Sequence, residues 1–291
     1  MDRKPSTKLN HRQTAQALDR SPARAVLKAS VAVLLVAGGS ALAQDAGEGS
    51  ATADLAYRLQ NPLAFIPRLP IENQFDFGYG SEDAMRYAFR PRPVIPFSLN
   101  EDLSLITRTT FNVIYQQAPE PGLGDKSGLG DTDLEVYLSP KYKVAGGWAY
   151  GAGAIVRFPT ATEDVLGGEK WGIGPGVAAL RQSHGWTYGM YANQLWDFAG
   201  ESGRDDLNVT YLQPVLSYTT KSATTFGADT QSTYDWSGGQ WTVPVNFTVG
   251  QLVRIAGQAV SFTLGGRYYA ERPAGGPDWG LQVSMNVLFG K

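Results

Sequence analysis

The chain contains no cysteine among its 291 residues. That excludes a disulfide framework, a thiol nucleophile, thiolate metal sites and a lipoprotein anchor. Histidine is almost as scarce: there are two, His11 and His184, and a general base that titrates near neutral pH is most often this side chain. Long apolar runs are missing as well. The longest, Ala29–Ala37, is about half of the twenty or so residues that a membrane-spanning helix needs. Excess positive charge is confined to the leader. Of the 25 Lys and Arg, seven lie before residue 29, against two of the 27 Asp and Glu, so the remainder is acidic, with a net charge near −7. An acidic body argues against a nucleic-acid partner.

The basic stretch Asp2–Lys28, the apolar run after it and Ala41-Leu42-Ala43 form a secretory signal peptide over 1–43, with cleavage expected after Ala43. The chain beyond this leader carries most of the 34 glycines and shows no long helical period. The last segment, Trp279–Phe289, places Leu281, Val283, Met285, Val287 and Phe289 on one face and Gln282, Ser284 and Asn286 on the other. Side chains alternate across a strand, so this reads as a strand with lipid on one side and water on the other.

Twelve stretches of period two run from residue 71 to 289, at about 71–79, 83–98, 101–117, 129–143, 146–159, 169–182, 185–199, 206–221, 223–236, 239–254, 258–272 and 277–289. Their charges sit on one face only, the face that lines the lumen of a membrane barrel. The connections after even-numbered strands are tight and those after odd-numbered ones mostly longer. The fold expected is all-β, a transmembrane antiparallel up-and-down β-barrel of about 12 strands with both termini periplasmic. All seven tryptophans fall near a strand end, where amphipathic rings settle at the two membrane interfaces. A lipocalin-like binder would need only about eight strands and no girdles.

The candidate lumenal set is Arg86, Arg90 and Arg92 on the second strand, Arg108 on the third, Asp131, Asp133 and Glu135 on the fourth and Arg157 on the fifth. Facing rows of opposite charge can set a transverse field and tune selectivity, or they can brace the wall as salt bridges; both roles stay open. Gly151, Gly153, Gly172, Gly174 and Gly176 share the lumenal parity, which suits either curvature relief or a groove. Residues 44–70 form an N-terminal segment, a short helix near 52–60 followed by a proline-broken apolar stretch, either a plug or a periplasmic tail. Asp125, Asp131 and Asp133 do not match a calcium-loop spacing, so no metal is assigned. No cofactor and no catalytic residue are assigned either, since His184 falls in a tight turn on the periplasmic side.

Asn61-Pro-Leu-Ala64, Arg92-Pro-Val-Ile-Pro-Phe-Ser-Leu-Asn-Glu-Asp102, Phe158-Pro-Thr-Ala-Thr162, Glu169-Lys-Trp-Gly-Ile-Gly-Pro175, Tyr211-Leu-Gln-Pro214 with Tyr218-Thr-Thr-Lys221, and Arg267-Tyr-Tyr-Ala270 with Gly276-Pro-Asp-Trp-Gly280 occur in this order. In that order they resemble the outer-membrane transporters grouped with the phenol-degradation meta-pathway proteins (MetA-type). The resemblance implies a Gram-negative outer-membrane barrel passing small organic compounds, with aromatics the candidate class, and brings no site residues. Gly290-Lys291 departs from the usual terminal aromatic. Expected partners are outer-membrane lipid and lipopolysaccharide, and the barrel-assembly machinery during biogenesis. The main variant is a transporter with a plugged lumen that releases hydrophobic compounds sideways into the bilayer; the alternative class is a sealed structural or surface-interaction barrel contacting others through 116–130, 159–170 and 198–206.

Overall fold

The alternation read along the chain becomes twelve antiparallel staves in a computed structural model that describes residues 46–142 and 145–289. The expected signal peptide over 1–43 and the terminal Gly290-Lys291 lie outside the described residues. A helix, α1 (Ala46–Leu59), precedes the first stave, β1 (Arg68–Tyr79), which starts three residues earlier than expected. The second stave is β2 (Ala84–Pro91) with β3 (Val94–Ser98), the third β4 (Leu103–Thr110) with β5 (Val113–Gln116), and the fourth β6 (Lys126–Leu129) with β7 (Thr132–Pro140). Four single strands come next: β8 (Trp148–Phe158), β9 (Lys170–Ser183), β10 (Trp186–Gly200) and β11 (Asn208–Thr219). The ninth stave is β12 (Thr224–Thr230) with β13 (Ser232–Asp235); β14 (Gln240–Ile255), β15 (Gln258–Glu271) and β16 (Trp279–Leu288) complete the wall. β16 pairs back onto β1 from Arg68↔Leu288 to Phe77↔Trp279. Closure removes both sheet edges and satisfies every stave from its neighbours, the condition for crossing a bilayer with strands.

Burial alternates with the period of two. Along β9, Gly172, Gly174, Gly176, Ala178 and Leu180 are buried and point inward, while Trp171, Ile173, Val177 and Ala179 are exposed on the outer face. All seven tryptophans lie between 37% and 57% exposed, two at the end of the tight turns (Trp148, Trp186) and five at the other (Trp171, Trp196, Trp236, Trp241, Trp279). An apolar outer face with aromatic rings at both rims is the surface of a membrane-spanning barrel, whose tight-turn end is the periplasmic one. His184-Gly185 and Ala256-Gly257 close two of those hairpins with positive φ at both residues, the backbone of a turn whose twist matches the strands it joins. The loops 80–83 and 236–239 on the outer side are as short as the periplasmic turns 99–102 and 220–223, so loop length segregates only in part.

Staves two to four are interrupted where a single run was expected. Pro91 and Pro93 flank the first break and offer no ladder donor. The neighbouring breaks, at Phe111-Asn112 and Gly130-Asp131, form a line across adjacent staves. The backbone stays satisfied across it: Arg92 N–H donates to Pro70 O (2.8 Å), Phe111 N–H to Pro91 O (3.2 Å) and Gly130 N–H to Asn112 O (2.9 Å). Asn112 Nδ2 donates to Asp131 O at 2.6 Å.

α1 ends where Pro62, with no N–H, cannot continue it. Ala56 and then Ile66 pack with Ala223, Leu252, Ala259 and Leu288 at the periplasmic mouth. Leu63 reaches further in, 6% exposed, among Val94, Ile106, Tyr137, Ala178, Leu180 and Tyr191. A Cβ on Gly151 would stand 3.1 Å from the Leu63 side chain, so this bare position makes room for the inserted segment.

Candidate functional site: the lumen constriction

The lumenal charges are arranged as pairs between neighbouring staves. Arg157 on β8 donates twice to Asp133 on β7, at 2.8 and 2.9 Å. Glu135, two residues on and inward like Asp133, holds Arg108 on β4. Arg92, in the break of the second stave, donates to Glu72 on β1 at 2.7 Å, and Arg90 donates to Gln74 at 2.7 Å. Gln74 in turn donates to Asp76 at 2.5 Å. Asp76 lies 3.7 Å from Arg267 on β15, passing over the intervening β16. It can do so because Gly280 stands between them, and a Cβ there would collide with the Asp76 carboxylate. From Arg267 the belt continues to Asn246 (2.6 Å), and Asn246 donates to Asp229 at 2.9 Å.

Of the eight residues expected on this wall, Arg90, Arg92, Arg108, Asp133, Glu135 and Arg157 line one cavity. Arg86 stands opposite Asp76 in the β1–β2 ladder, one inward step beyond Ala88. Asp131 has a different occupation: its carboxylate accepts from Gly168 N–H at 2.8 Å and from Ala161 N–H at 3.4 Å, so it anchors the outer loop 159–169. Asp125 accepts from the Tyr115 hydroxyl (2.6 Å) and Ala118 N–H (3.0 Å), and no cation-binding group of carboxylates and histidines forms among the described residues. His184 lies in its turn beside the Ser183 hydroxyl, 2.7 Å away.

Glu72, Gln74, Asp76, Arg68, Tyr191, Asp229, Asn246 and Arg267 belong to the belt but were absent from the expected set. Parity contained the signal for several. Glu72, Gln74 and Asp76 alternate with Ile71, Phe75 and Phe77 on the first strand.

Two cavities stack along the axis. The outer, about 280 Å³, is lined by Arg90, Thr110, Asn112, Asp133, Arg157 and Tyr211 among others. The inner, about 200 Å³, reaches Gln60 and Pro62 of the N-terminal segment and Leu180, Thr187 and Val215 of the wall. Arg92 and Arg108 border both. At this junction Arg108, from the third stave, reaches across the lumen and carries its guanidinium carbon to 5.5 Å from the ring centroid of Tyr191 on the seventh.

Among solved structures, the COG4313 outer membrane channel from Pseudomonas putida F1 is similar over 78% of this chain and 96% of that one, at 17% identity with a TM-score of 0.60. This chain has the fold of an outer-membrane β-barrel. The NanC porin matches over 77% of this chain and 100% of its own, at 14% identity with a TM-score of 0.47. The KdgM porin matches over 77% and 99%, at 10% identity with a TM-score of 0.45. No protein-family model matches the barrel, and no curated protein matches it by sequence.

Proposed function

We propose that this outer-membrane barrel is a passive channel for small organic molecules, not an enzyme, with the arginine and carboxylate belt as its selective wall and residues 44–67 as a plug in its periplasmic mouth. The observation that carries the reading is the pair of cavities meeting at Arg92 and Arg108. A path through the lumen must pass these two guanidinium groups, where fixed charge acts at close range with little water to screen it. Aromatic permeants, as in the phenol-pathway transporters that the motifs resemble, suit a constriction ringed by Tyr137, Tyr191 and Tyr211.

The test is single-channel conductance of the refolded mature chain in a planar bilayer, with the reversal potential under a salt gradient. Discrete steps are expected, and Arg90→Ala with Arg92→Ala shifts the reversal potential toward cations, because Glu72 is left without its counter-charge. An unaltered value assigns the two arginines to bracing the wall. The second reading is a sealed barrel, favoured by the burial of Leu63 and Ile66 inside the inner mouth. Silence from a folded, heat-modifiable barrel would select it.

A further inference from the structure

Among the described residues, the constriction leaves hydrogen-bond donors unused on facing staves of the lumen. Nε of Arg90, Arg92 and Arg108 and the hydroxyl of Tyr191 are buried and have no partner, and Tyr191 is only 6% exposed. A buried polar group without a partner costs about 1–3 kcal/mol, so several in one place point to an acceptor that arrives from outside the chain. Arg92 and Arg108 are neighbours on the wall, since Arg108 pairs with Val94, the next inward residue after Arg92. Arg108 also lies over the Tyr191 ring. The unused groups therefore converge on the junction of the two cavities.

Charge sets the sign of the acceptor. Glu72 and Glu135 occupy the far ends of Arg92 and Arg108. Arg68, the third guanidinium of this cluster, meets the carbonyls of Ile66 (3.1 Å) and Pro62 (3.0 Å) and no carboxylate among the described residues. With Arg90, which meets the neutral Gln74, four guanidinium groups stand against these two carboxylates and leave an excess of positive charge. The shape of the walls sets the rest of the ligand: Leu180 and Val215 flank the junction on the inner side, Leu195, Val209 and Ile155 on the outer. An anion with an apolar body is matched there at both ends.

We propose that the constriction is a binding site for a small organic carboxylate, whose carboxylate group is taken by Arg92, Arg108 and the Tyr191 hydroxyl while its apolar body lies in one of the adjoining cavities. This rests on the channel reading and names the class of solute it selects. A bidentate, charge-assisted site of this kind discriminates a carboxylate from its neutral isostere, because only the anion answers the unpaired donors.

The test uses the full-length mature barrel, purified in detergent, with benzoate and benzamide as probes. Saturation-transfer NMR is expected to show binding of benzoate and none of benzamide at equal concentration. In a planar bilayer, benzoate then lowers the single-channel current carried by KCl, and Tyr191→Phe raises its half-blocking concentration about three- to tenfold, the range for one lost hydrogen bond. Should that variant fail to fold, judged by heat-modifiable mobility, Arg108→Gln with Glu135→Gln keeps the net charge and is expected to abolish the benzoate signal. Equal signals from benzoate and benzamide, or a folded Tyr191→Phe that blocks like the wild type, would overturn the proposal. Absence of KCl steps counts against the channel reading alone, and the NMR contrast still decides the site.

Discussion

The segments at the two mouths of the barrel are held by opposite chemistry. At the periplasmic end the N-terminal segment buries Ala56, Leu63 and Ile66 against apolar wall residues, with polar ties that include Gln182 to Tyr57 O at 2.6 Å, the Tyr57 hydroxyl to Trp186 O at 3.3 Å, Phe289 N–H to Pro67 O at 2.8 Å, and Arg68 to Pro62 O and Ile66 O. At the outer end the loop 159–169 sets one apolar side chain, Leu166, against Ala88 and Ile114. Everything else holding it is polar or charged. Arg204 donates to Asp164 O (2.7 Å) and Gly167 O (2.6 Å), Asp131 caps Gly168 N–H, and Lys126 meets Glu163 at 2.8 Å. Apolar burial is indifferent to salt, whereas half-exposed ion pairs are screened by it and contribute little singly. The inner segment is therefore a fixed fitting and the outer loop a latch that ionic conditions can loosen.

The largest effect is expected from removing the fixed fitting. Deleting residues 44–66 should raise single-channel conductance severalfold, and an unchanged value would show that the inner mouth does not limit flow. Glu135→Gln comes next. It strands Arg108 in the constriction and should cost about 3–5 kcal/mol, read as a lower midpoint in urea refolding, whereas adding Arg108→Gln should restore most of it; equal losses in single and double variants would deny the pairing. Leu63→Ala should free the segment at a cost of about 2–4 kcal/mol, seen as new protease cleavage between α1 and β1 in an otherwise heat-modifiable barrel. Arg204→Ala is the smallest, about 1 kcal/mol at its exposed site. Its open-state noise at low salt should match that of the wild type at high salt, and identical noise in both proteins at low salt would remove the latch.

The staves were legible because a barrel in lipid leaves only one choice for each alternate residue, and the tryptophans marked both rims for the same reason. Within the wall, Asp133, Glu135, Arg108 and Arg157 could be read as facing rows because they sit on consecutive staves with unbroken parity. The pairing of Asp76 with Arg267 could not. It depends on Gly280 leaving a gap in the strand between them, a fact about three staves that no single stretch of sequence carries. Asp131 misled for a related reason: its parity is that of the lumen, but it sits at a break, where the nearest donors are the amides of a folded-in loop. The inward turn of Leu166 was invisible too, since one leucine in a polar loop has no period to announce it.

The seam between β1 and β16 has a consequence for how the molecule is made. There Phe289 N–H donates to Pro67 O at 2.8 Å and Arg68 stands opposite Leu288, which joins the start of the wall to its end across more than two hundred residues. Closing so large a loop has a high entropic cost, and nothing local can nucleate it. Until the final strand arrives, β1 presents an open edge able to recruit another chain. Biogenesis is thereby tied to completeness: a chain that lacks β16 has a wall but no closure, and should accumulate as an aggregate instead of a smaller pore.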